Sequence, residues 1–298
     1  MSTPFGTFSI VAADLEAGEV GCAVQSKYFS VGSVVPWARA GVGAVATQAA
    51  GVAVYGRWAL EALEAGASPE DALERVLADD PGRETRQLGV VTADGRAASF
   101  TGRECLDWAG HRTGLGYAVQ GNILAGEAVV GEMARAFEQT AGLLADRLVA
   151  ALEAGQAAGG DRRGQQSAAV VVERTGAGAE SRERIDRVCD LRVDDAAEPI
   201  AELRRLLGIW KLWDAQRLAH GHYERGEHGR GADVLAAALG DGKDAGVLYN
   251  LACYESLAGR RDAALGHLRR AFDLHPPFRE LAAGDADLEP IRDALAGL

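Results

Sequence analysis

Hydroxyl groups stand near the start of the chain, on the first segment with the pattern of a strand. Thr7 and Ser9 are two residues apart, so both side chains lie on the same face of that strand. A second predicted strand ends in Gln25, Ser26 and Lys27, and the ammonium group of Lys27 would lower the pKa of a neighbouring hydroxyl or bind a substrate carboxylate. The alternatives stay open, because Thr and Ser are also found in ordinary strands and a lysine at a strand end is often only solvated.

A charged, glycine-rich loop from Gly159 to Gly164 is the second place where the residue types suggest chemistry. It matches neither of the glycine patterns that bind nucleotide phosphates, so we reject a nucleotide loop. One of its two arginines would hold a substrate carboxylate through two N–H donors, or would form a salt bridge with Asp161 or another surface acid. Gln166 and Ser167 begin the next predicted strand and would donate hydrogen bonds to a substrate or only complete a sheet.

The elements that position these residues are short strands and amphipathic helices. Strands are predicted over 7–12, 20–26, 43–48, 87–92, 97–101, 116–120, 166–173 and 189–193. Helices are predicted over 55–65 and 68–77, and one long helical stretch over 126–155. This order of strands, paired helices, strands, a long helix and strands indicates an α+β fold with two sheets and helices packed outside them.

The sequence after Pro199 is helix-forming almost throughout and contains a repeat. Four residues recur 33 positions later, as Ala219/Ala252, Gly226/Gly259, Leu235/Leu268 and Ala238/Ala271. This spacing is close to the ~34-residue tetratricopeptide period and predicts a small all-α, tetratricopeptide-like domain over 199–298, after a domain over 1–198. Two copies are fewer than the ~3 usually needed for stability, so we favour a dimerisation or stability element, and a homo-oligomer, over a peptide-binding groove.

The composition limits the classes of partner. With 31 Lys and Arg against 43 Asp and Glu, the formal charge of -12 argues against nucleic-acid binding. Residues 1–9 lack the features of a signal peptide, and no apolar run approaches the ~20 residues of a membrane span, so we expect a cytoplasmic protein without a membrane partner. The four cysteines form no CxxC pair and indicate neither a disulfide framework nor a metal site; they are Cys22, Cys105, Cys189 and Cys253.

Three separated segments resemble a bacterial family known as domain of unknown function 1028. They are TFSIVA at 7–12, PWARAGVGAVATQ at 36–48 and GGDRRGQQSAA at 159–169. The resemblance covers about the first two thirds of the chain. It implies the fold of the N-terminal nucleophile hydrolases, a four-layer αββα sandwich whose first strand presents the nucleophile.

The resemblance implies a nucleophile at Thr7. In such hydrolases a Thr, Ser or Cys becomes the first residue after cleavage, and its free α-amino group acts as general base. Thr7 is preceded by Gly6, a common residue before such a cleavage point. The polar end of the second strand matches the cluster beside the nucleophile, where Lys27 would tune the charge, although Gln25 and Ser26 stand where a carboxylate is usual.

The segment after the third predicted strand resembles the one that binds the oxyanion, with Gln48 and the backbone N–H groups of residues 49–51 as donors. The other residues expected to line the site or orient the substrate are Ser9, Thr47, Asn122, Arg163, Gln166 and Ser167. If Met1 to Gly6 stays attached, Thr7 has no free amine, and it would orient a substrate that a positioned water attacks.

We therefore expect a hydrolase that cleaves a C–N bond in an amide or cyclic amide of a small metabolite, without a metal or an organic cofactor. The alternative is a non-catalytic binding module that keeps the sandwich and uses its helical tail to recognise peptide or cell-wall material.

Overall fold

The computed structural model describes residues 6–180 and 185–298, which form two compact units. The strands are β1 (Thr7–Asp14), β2 (Glu19–Ser26), β3 (Pro36–Arg39), β4 (Gly43–Ala49), β5 (Arg86–Thr92), β6 (Ala97–Thr101), β7 (Gly110–Gly114), β8 (Tyr117–Asn122), β9 (Ser167–Arg174) and β10 (Arg187–Val193). The helices are α1 (Val54–Glu64), α2 (Pro69–Leu77), α3 (Ala128–Gln139), α4 (Leu144–Ala157), α5 (Ala177–Glu180), α6 (Pro199–Glu224), α7 (His228–Leu239), α8 (Ala245–Leu257), α9 (Arg261–Leu274), α10 (Phe278–Gly284) and α11 (Arg292–Leu295).

The first unit ends at Leu207, inside α6, eight residues after the first residue of the predicted helical domain. The early turns of α6 belong to the first unit for two reasons. Ile200, Leu203 and Leu207 are buried. In addition, the Arg204 guanidinium donates two 2.8 Å hydrogen bonds to the carboxylate of Glu153 on α4.

A six-stranded antiparallel sheet, in the order β10-β9-β2-β1-β8-β7, carries β1 in its interior. β1 and β2 form the predicted hairpin, in which Thr7 lies opposite Ser26 and Asp14 opposite Glu19. On its other edge β1 pairs with β8, where Thr7 lies opposite Asn122. The start of β1 is therefore flanked by a strand on each side.

The second sheet has four antiparallel strands in the order β3-β4-β5-β6. Two strands were not predicted, β3 in this sheet and β7 in the first. Both are edge strands, and neither has alternating buried and exposed residues: β3 is half-buried throughout and begins with a proline, whereas β7 is mostly exposed. The single helix predicted over 126–155 is wrong, because α3 ends at Gln139 and α4 begins at Leu144, with Gly142 between them at a φ of 104°.

The two sheets pack against each other through alternate side chains of their strands. Val11 of β1 and Cys22 of β2 share a buried cluster with Ala44 and Val91 of the four-stranded sheet. α1 and α2 pack on the outer face of the four-stranded sheet, in another cluster to which Val45 of β4 belongs. α3 and α4 pack against β1, β2 and β8 of the six-stranded sheet. The predicted combination of antiparallel sheets and helices is confirmed.

The second unit is helical, and the 33-residue repeat marks equivalent positions in it. Gly226 and Gly259 have φ values of 73° and 75° and end the turns before α7 and α9. The residues that follow them have nearly the same backbone conformation, with φ and ψ of -89° and 48° before α7 and -89° and 59° before α9. Ala219, Ala252, Leu235 and Leu268 are all completely buried. Among the described residues, no helix is both long and apolar enough to cross a membrane.

Candidate functional site

Three of the predicted site residues form a row across the six-stranded sheet. The register puts Thr7 of β1 between Ser26 of β2 and Asn122 of β8, and directly paired residues point to the same face of a sheet. All three are buried, and Thr7 Oγ1 lies 3.0 Å from Ser26 Oγ. This face is the one directed at the four-stranded sheet, because Val11 of the same strand lies in the cluster between the sheets.

The carbonyl oxygen of Gly6, immediately before Thr7, accepts two hydrogen bonds. One comes from Ser26 Oγ at 2.5 Å and the other from Arg163 Nη2 at 2.7 Å. Since a carbonyl oxygen can only accept, Ser26 uses its single proton there and must accept the proton of the Thr7 hydroxyl. The result is a chain of hydrogen bonds that runs from Thr7 Oγ1 through Ser26 Oγ to the carbonyl oxygen of Gly6.

A buried carboxylate, Asp161, holds Arg163 in this position. Arg163 donates to it from Nη2 at 2.7 Å and from Nε at 3.1 Å, so the expected salt bridge is present as well as the contact with Gly6. The backbone N–H groups of Lys27 and Arg163 donate to the same carboxylate, at 3.2 and 2.9 Å. We predicted Asp161 only as an ion-pair partner, although it lies in a loop whose arginines already suggested chemistry.

Gly6 has no space for a side chain. A Cβ atom at this position would lie 2.8 Å from both Asp161 carboxylate oxygens and 2.9 Å from Arg163 Nη2. The absence of a side chain is therefore what lets the ion pair approach the Gly6–Thr7 peptide.

A cavity of about 360 Å³ opens beside Thr7. Its lining residues are Thr7, Tyr28, Val31, Val34, Val35, Thr47, Gln48, Ala49, Ala50, Gly51 and Ala53. The cavity thus includes Thr7, Thr47, Gln48 and the 49–51 segment of the predicted site. Ala49 has a φ of 66°, a left-handed conformation that is strained for any residue with a Cβ atom and is often found at functional sites.

Ion pairs and hydrogen bonds from outside the cavity hold its walls. Ser167 Oγ accepts from the backbone N–H of Val31 at 3.0 Å and donates to the carbonyl of Tyr28 at 2.5 Å. On the other side, Arg86 donates to the carbonyl of Ala50 and pairs with Asp80 at 2.7 Å, and this guanidinium holds the pKa of the Asp80 carboxyl well below its usual range. Ser167, which we predicted to bind substrate, instead supports a cavity wall.

Gln48 and Ser9 belong to a buried polar network between the sheets. Ser9 Oγ donates to Gln48 Oε1 at 2.6 Å and accepts from Gln120 Nε2 at 2.6 Å. Gln48 Nε2 and Asn122 Nδ2 both donate to Gln87 Oε1, at 2.9 and 3.0 Å. The carboxamide of Gln48 is thus engaged with protein groups, so the predicted oxyanion contact would fall to the backbone of the 49–51 segment. Gln87 and Gln120, which complete the network, were not predicted.

Three more predicted residues neither line the cavity nor belong to the polar groups around Thr7. The Lys27 side chain is exposed and its Nζ donates to the carbonyl of Gln165 at 3.0 Å, because it is Ser26 that shares the face of Thr7. Gln25 is opposite Phe8 and so points to the other face of the sheet, where its Nε2 lies 3.5 Å from the carbonyl of Gly164. Gln166, the third, donates from Nε2 to a carboxylate oxygen of Asp195 at 3.1 Å.

One group of possible metal ligands occurs in the described part of the second unit. Single ligand atoms of Cys253, Asp285 and Asp287 lie within 4.8 Å of one another. The carboxylates accept hydrogen bonds from Tyr249 at 2.7 Å and Tyr223 at 3.0 Å, and burial raises the pKa of the Cys253 thiol. These side chains already satisfy one another without an ion.

Comparisons with known proteins cover the first unit. The crystal structure of protein SPO2555 from Silicibacter pomeroyi, described as family-model DUF1028, is similar with a TM-score of 0.61 and 34% sequence identity, over 68% of this chain and 88% of that chain. No curated protein matches the chain. The model of a family of unknown function, DUF1028, matches residues 7–203, so its first matched residue is Thr7. This chain therefore belongs to family DUF1028.

Proposed function

We propose that this chain is a hydrolase of the N-terminal nucleophile type that acts on a C–N bond of a small amide or cyclic amide. The observation that carries the proposal is the environment of the Gly6 carbonyl. Its oxygen accepts hydrogen bonds from Ser26 and Arg163, and Ser26 in turn accepts a hydrogen bond from the hydroxyl of Thr7.

The first reaction would be cleavage of the chain's own Gly6–Thr7 bond. Thr7 Oγ1 attacks the carbonyl carbon of Gly6, and the negative charge that develops on the carbonyl oxygen is stabilised by the two donors already bound to it. The C–N bond breaks, the Thr7 nitrogen takes up the proton lost by the hydroxyl, and an ester joins Gly6 to Thr7 Oγ1. Water then hydrolyses the ester and leaves Thr7 as the first residue, with a free α-amino group and a free hydroxyl.

The same groups would serve an external amide. The α-amino group of Thr7 becomes the general base for its own hydroxyl, and Ser26 and Arg163 no longer have the Gly6 carbonyl to bind. The cavity beside Thr7 would receive the substrate, with the 49–51 segment along one wall. Asp161 fixes Arg163 through two hydrogen bonds and so acts as a positioning residue.

The finer fold assignments are part of this proposal. Helices on the outer faces of two packed antiparallel sheets, with the nucleophile on an inner strand, support the αββα sandwich of the N-terminal nucleophile hydrolases. Two glycine turns 33 residues apart with matching backbone angles support a tetratricopeptide-like second unit, which we propose as a dimerisation or stability element of a cytoplasmic homo-oligomer.

The intact mass of the purified protein tests the proposal. We expect a chain that begins at Thr7, and we expect Thr7→Val to keep the preceding residues because it has nearly the same shape but no hydroxyl. Thr7→Ser should still be cleaved, and Thr113→Val, an exposed threonine on β7, is the matched control. A wild-type chain that keeps residues 1–6 and cleaves no amide would contradict the proposal and favour the binding module.

A further inference from the structure

The cavity beside Thr7 has uncharged walls. Its apolar lining residues are Val31, Val34, Val35, Ala49, Ala50, Gly51 and Ala53. Its polar lining side chains carry three hydroxyls and one carboxamide, and among the described residues that line it none is Asp, Glu, Lys, Arg or His. A ligand in this cavity would meet methyl groups and neutral dipoles.

Two arginines that contact residues at or next to the cavity lining are paired with carboxylates of the protein. Arg163 is paired with buried Asp161, and Arg86 is paired with Asp80 while it donates to the carbonyl of Ala50. A carboxylate or ammonium group of a ligand would lose part of its hydration in the cavity without meeting an oppositely charged side chain among these lining residues, which disfavours binding. A neutral apolar group would bury its surface against the valines and alanines instead.

The size of the cavity also restricts the ligand. A volume of about 360 Å³ lies at the lower end of the ~300–1,000 Å³ range of ligand pockets. Ala49, Ala50 and Ala53 keep this space open because their side chains are small. The segment that Thr7 would release from its own chain has the same character, since Ser2 to Gly6 contains no charged side chain.

We infer that the acyl group held in this cavity is small, uncharged and apolar, such as a branched aliphatic or single-ring acyl group of an amide. That the bound group is an acyl group rests on the proposed function, whereas the preference for a neutral apolar group rests on the cavity alone. Substrates that carry a carboxylate or an amine on the acyl side are disfavoured in this cavity, whose lining includes neither Lys27 nor Arg163.

A series of 4-nitroanilides with one leaving group tests the acyl preference on the full chain. We expect kcat/KM for isobutyryl and benzoyl 4-nitroanilide to exceed that for succinyl and β-alanyl 4-nitroanilide by at least about tenfold. Val34→Lys would add a cation to the half-buried wall and raise the succinyl-to-isobutyryl ratio. Ser33→Lys, next to it but exposed and outside the cavity, should leave that ratio unchanged. Equal or faster cleavage of the succinyl compound by the wild type would overturn the inference while the proposed hydrolase stands.

A binding measurement separates the two proposals if no anilide is cleaved. Isothermal titration of the Thr7→Val protein with isobutyramide, benzamide and succinamate reports on the cavity without any reaction. Binding of the neutral amides at least about tenfold more tightly than succinamate would support the inference even if the hydrolase proposal fails. Binding of succinamate equal to that of the neutral amides, or no binding of any of the three, would overturn it.

Discussion

Replacement of Ser26 by alanine tests the reasoning about the Gly6 carbonyl most directly. Ser26→Ala removes the 2.5 Å donor to the Gly6 oxygen and the acceptor of the Thr7 hydroxyl proton, and leaves Arg163 as the other donor. Loss of one donor to a developing oxyanion slows acyl transfer by about 10²–10³-fold. We expect a slowing of this size for cleavage between Gly6 and Thr7.

The cleavage is followed by intact mass after synthesis in a cell-free system stopped at fixed times. The matched control is Ser99→Ala, because Ser99 Oγ also donates to a backbone carbonyl, that of Leu88 at 2.7 Å, and its second contact, 3.3 Å from Gln120 Oε1, involves neither Thr7 nor Gly6. The control should lose about 1 kcal/mol of stability and be cleaved at the wild-type rate. Wild-type cleavage by the Ser26→Ala protein would refute the two-donor account.

Three further predictions concern glycine and charge. Gly6→Ala should slow the cleavage at 6–7, measured by intact mass, because the new Cβ would push Asp161 and Arg163 away from the carbonyl. Asp80→Asn should lose about 1.5–3 kcal/mol of unfolding free energy at pH 7. Because the folded pKa of Asp80 is lowered far below its usual range, this contribution is complete above about pH 4 and is lost only as the pH falls through the folded pKa, so the difference between the two proteins in urea titrations should narrow below pH 4 and still be present at pH 3. Gly259→Ala should lower the unfolding free energy of the second unit by about 1–2 kcal/mol in urea, because its φ of 75° is strained for alanine. Gly266→Ala within α9 should raise it by up to about 1 kcal/mol, because alanine favours a helix. No atom crowds the new methyl group at either position, so equal effects of the two substitutions would contradict the turn assignment.

Local patterns were sufficient to predict the hairpin and the repeat. The β1–β2 turn fixes the register, and that register already implies Ser26 opposite Thr7. We predicted that Lys27 lies beside Thr7, but the two-residue period of a strand puts Lys27 on the face away from Thr7. The glycines at 226 and 259 could be recognised because a left-handed turn favours glycine in any context.

Non-local pairing explains what could not be predicted. That β8 lies beside β1, and so brings Asn122 next to Thr7, depends on strand order, which no local pattern encodes. The wall formed by Val31, Val34 and Val35 lies mostly in a connection between strands, where apolar residues have no regular period. The burial of Asp161 depends on donors from Lys27, just after β2, and from its own loop, so its charge alone suggested a surface residue.

The two donors to the Gly6 oxygen are far from it along the chain, 20 residues away for Ser26 and 157 for Arg163. Ser26 reaches that oxygen only when β2 has paired with β1, and Arg163 only when the 159–164 loop has reached its folded position. Self-cleavage would therefore act as a checkpoint on folding. A ribosome adds about 5–20 residues per second, so many seconds pass between synthesis of Thr7 and synthesis of Arg163. A chain in which these parts have not come together would keep residues 1–6, and a free amine on Thr7 would mark a chain in which β1, β2 and the 159–164 loop are in place.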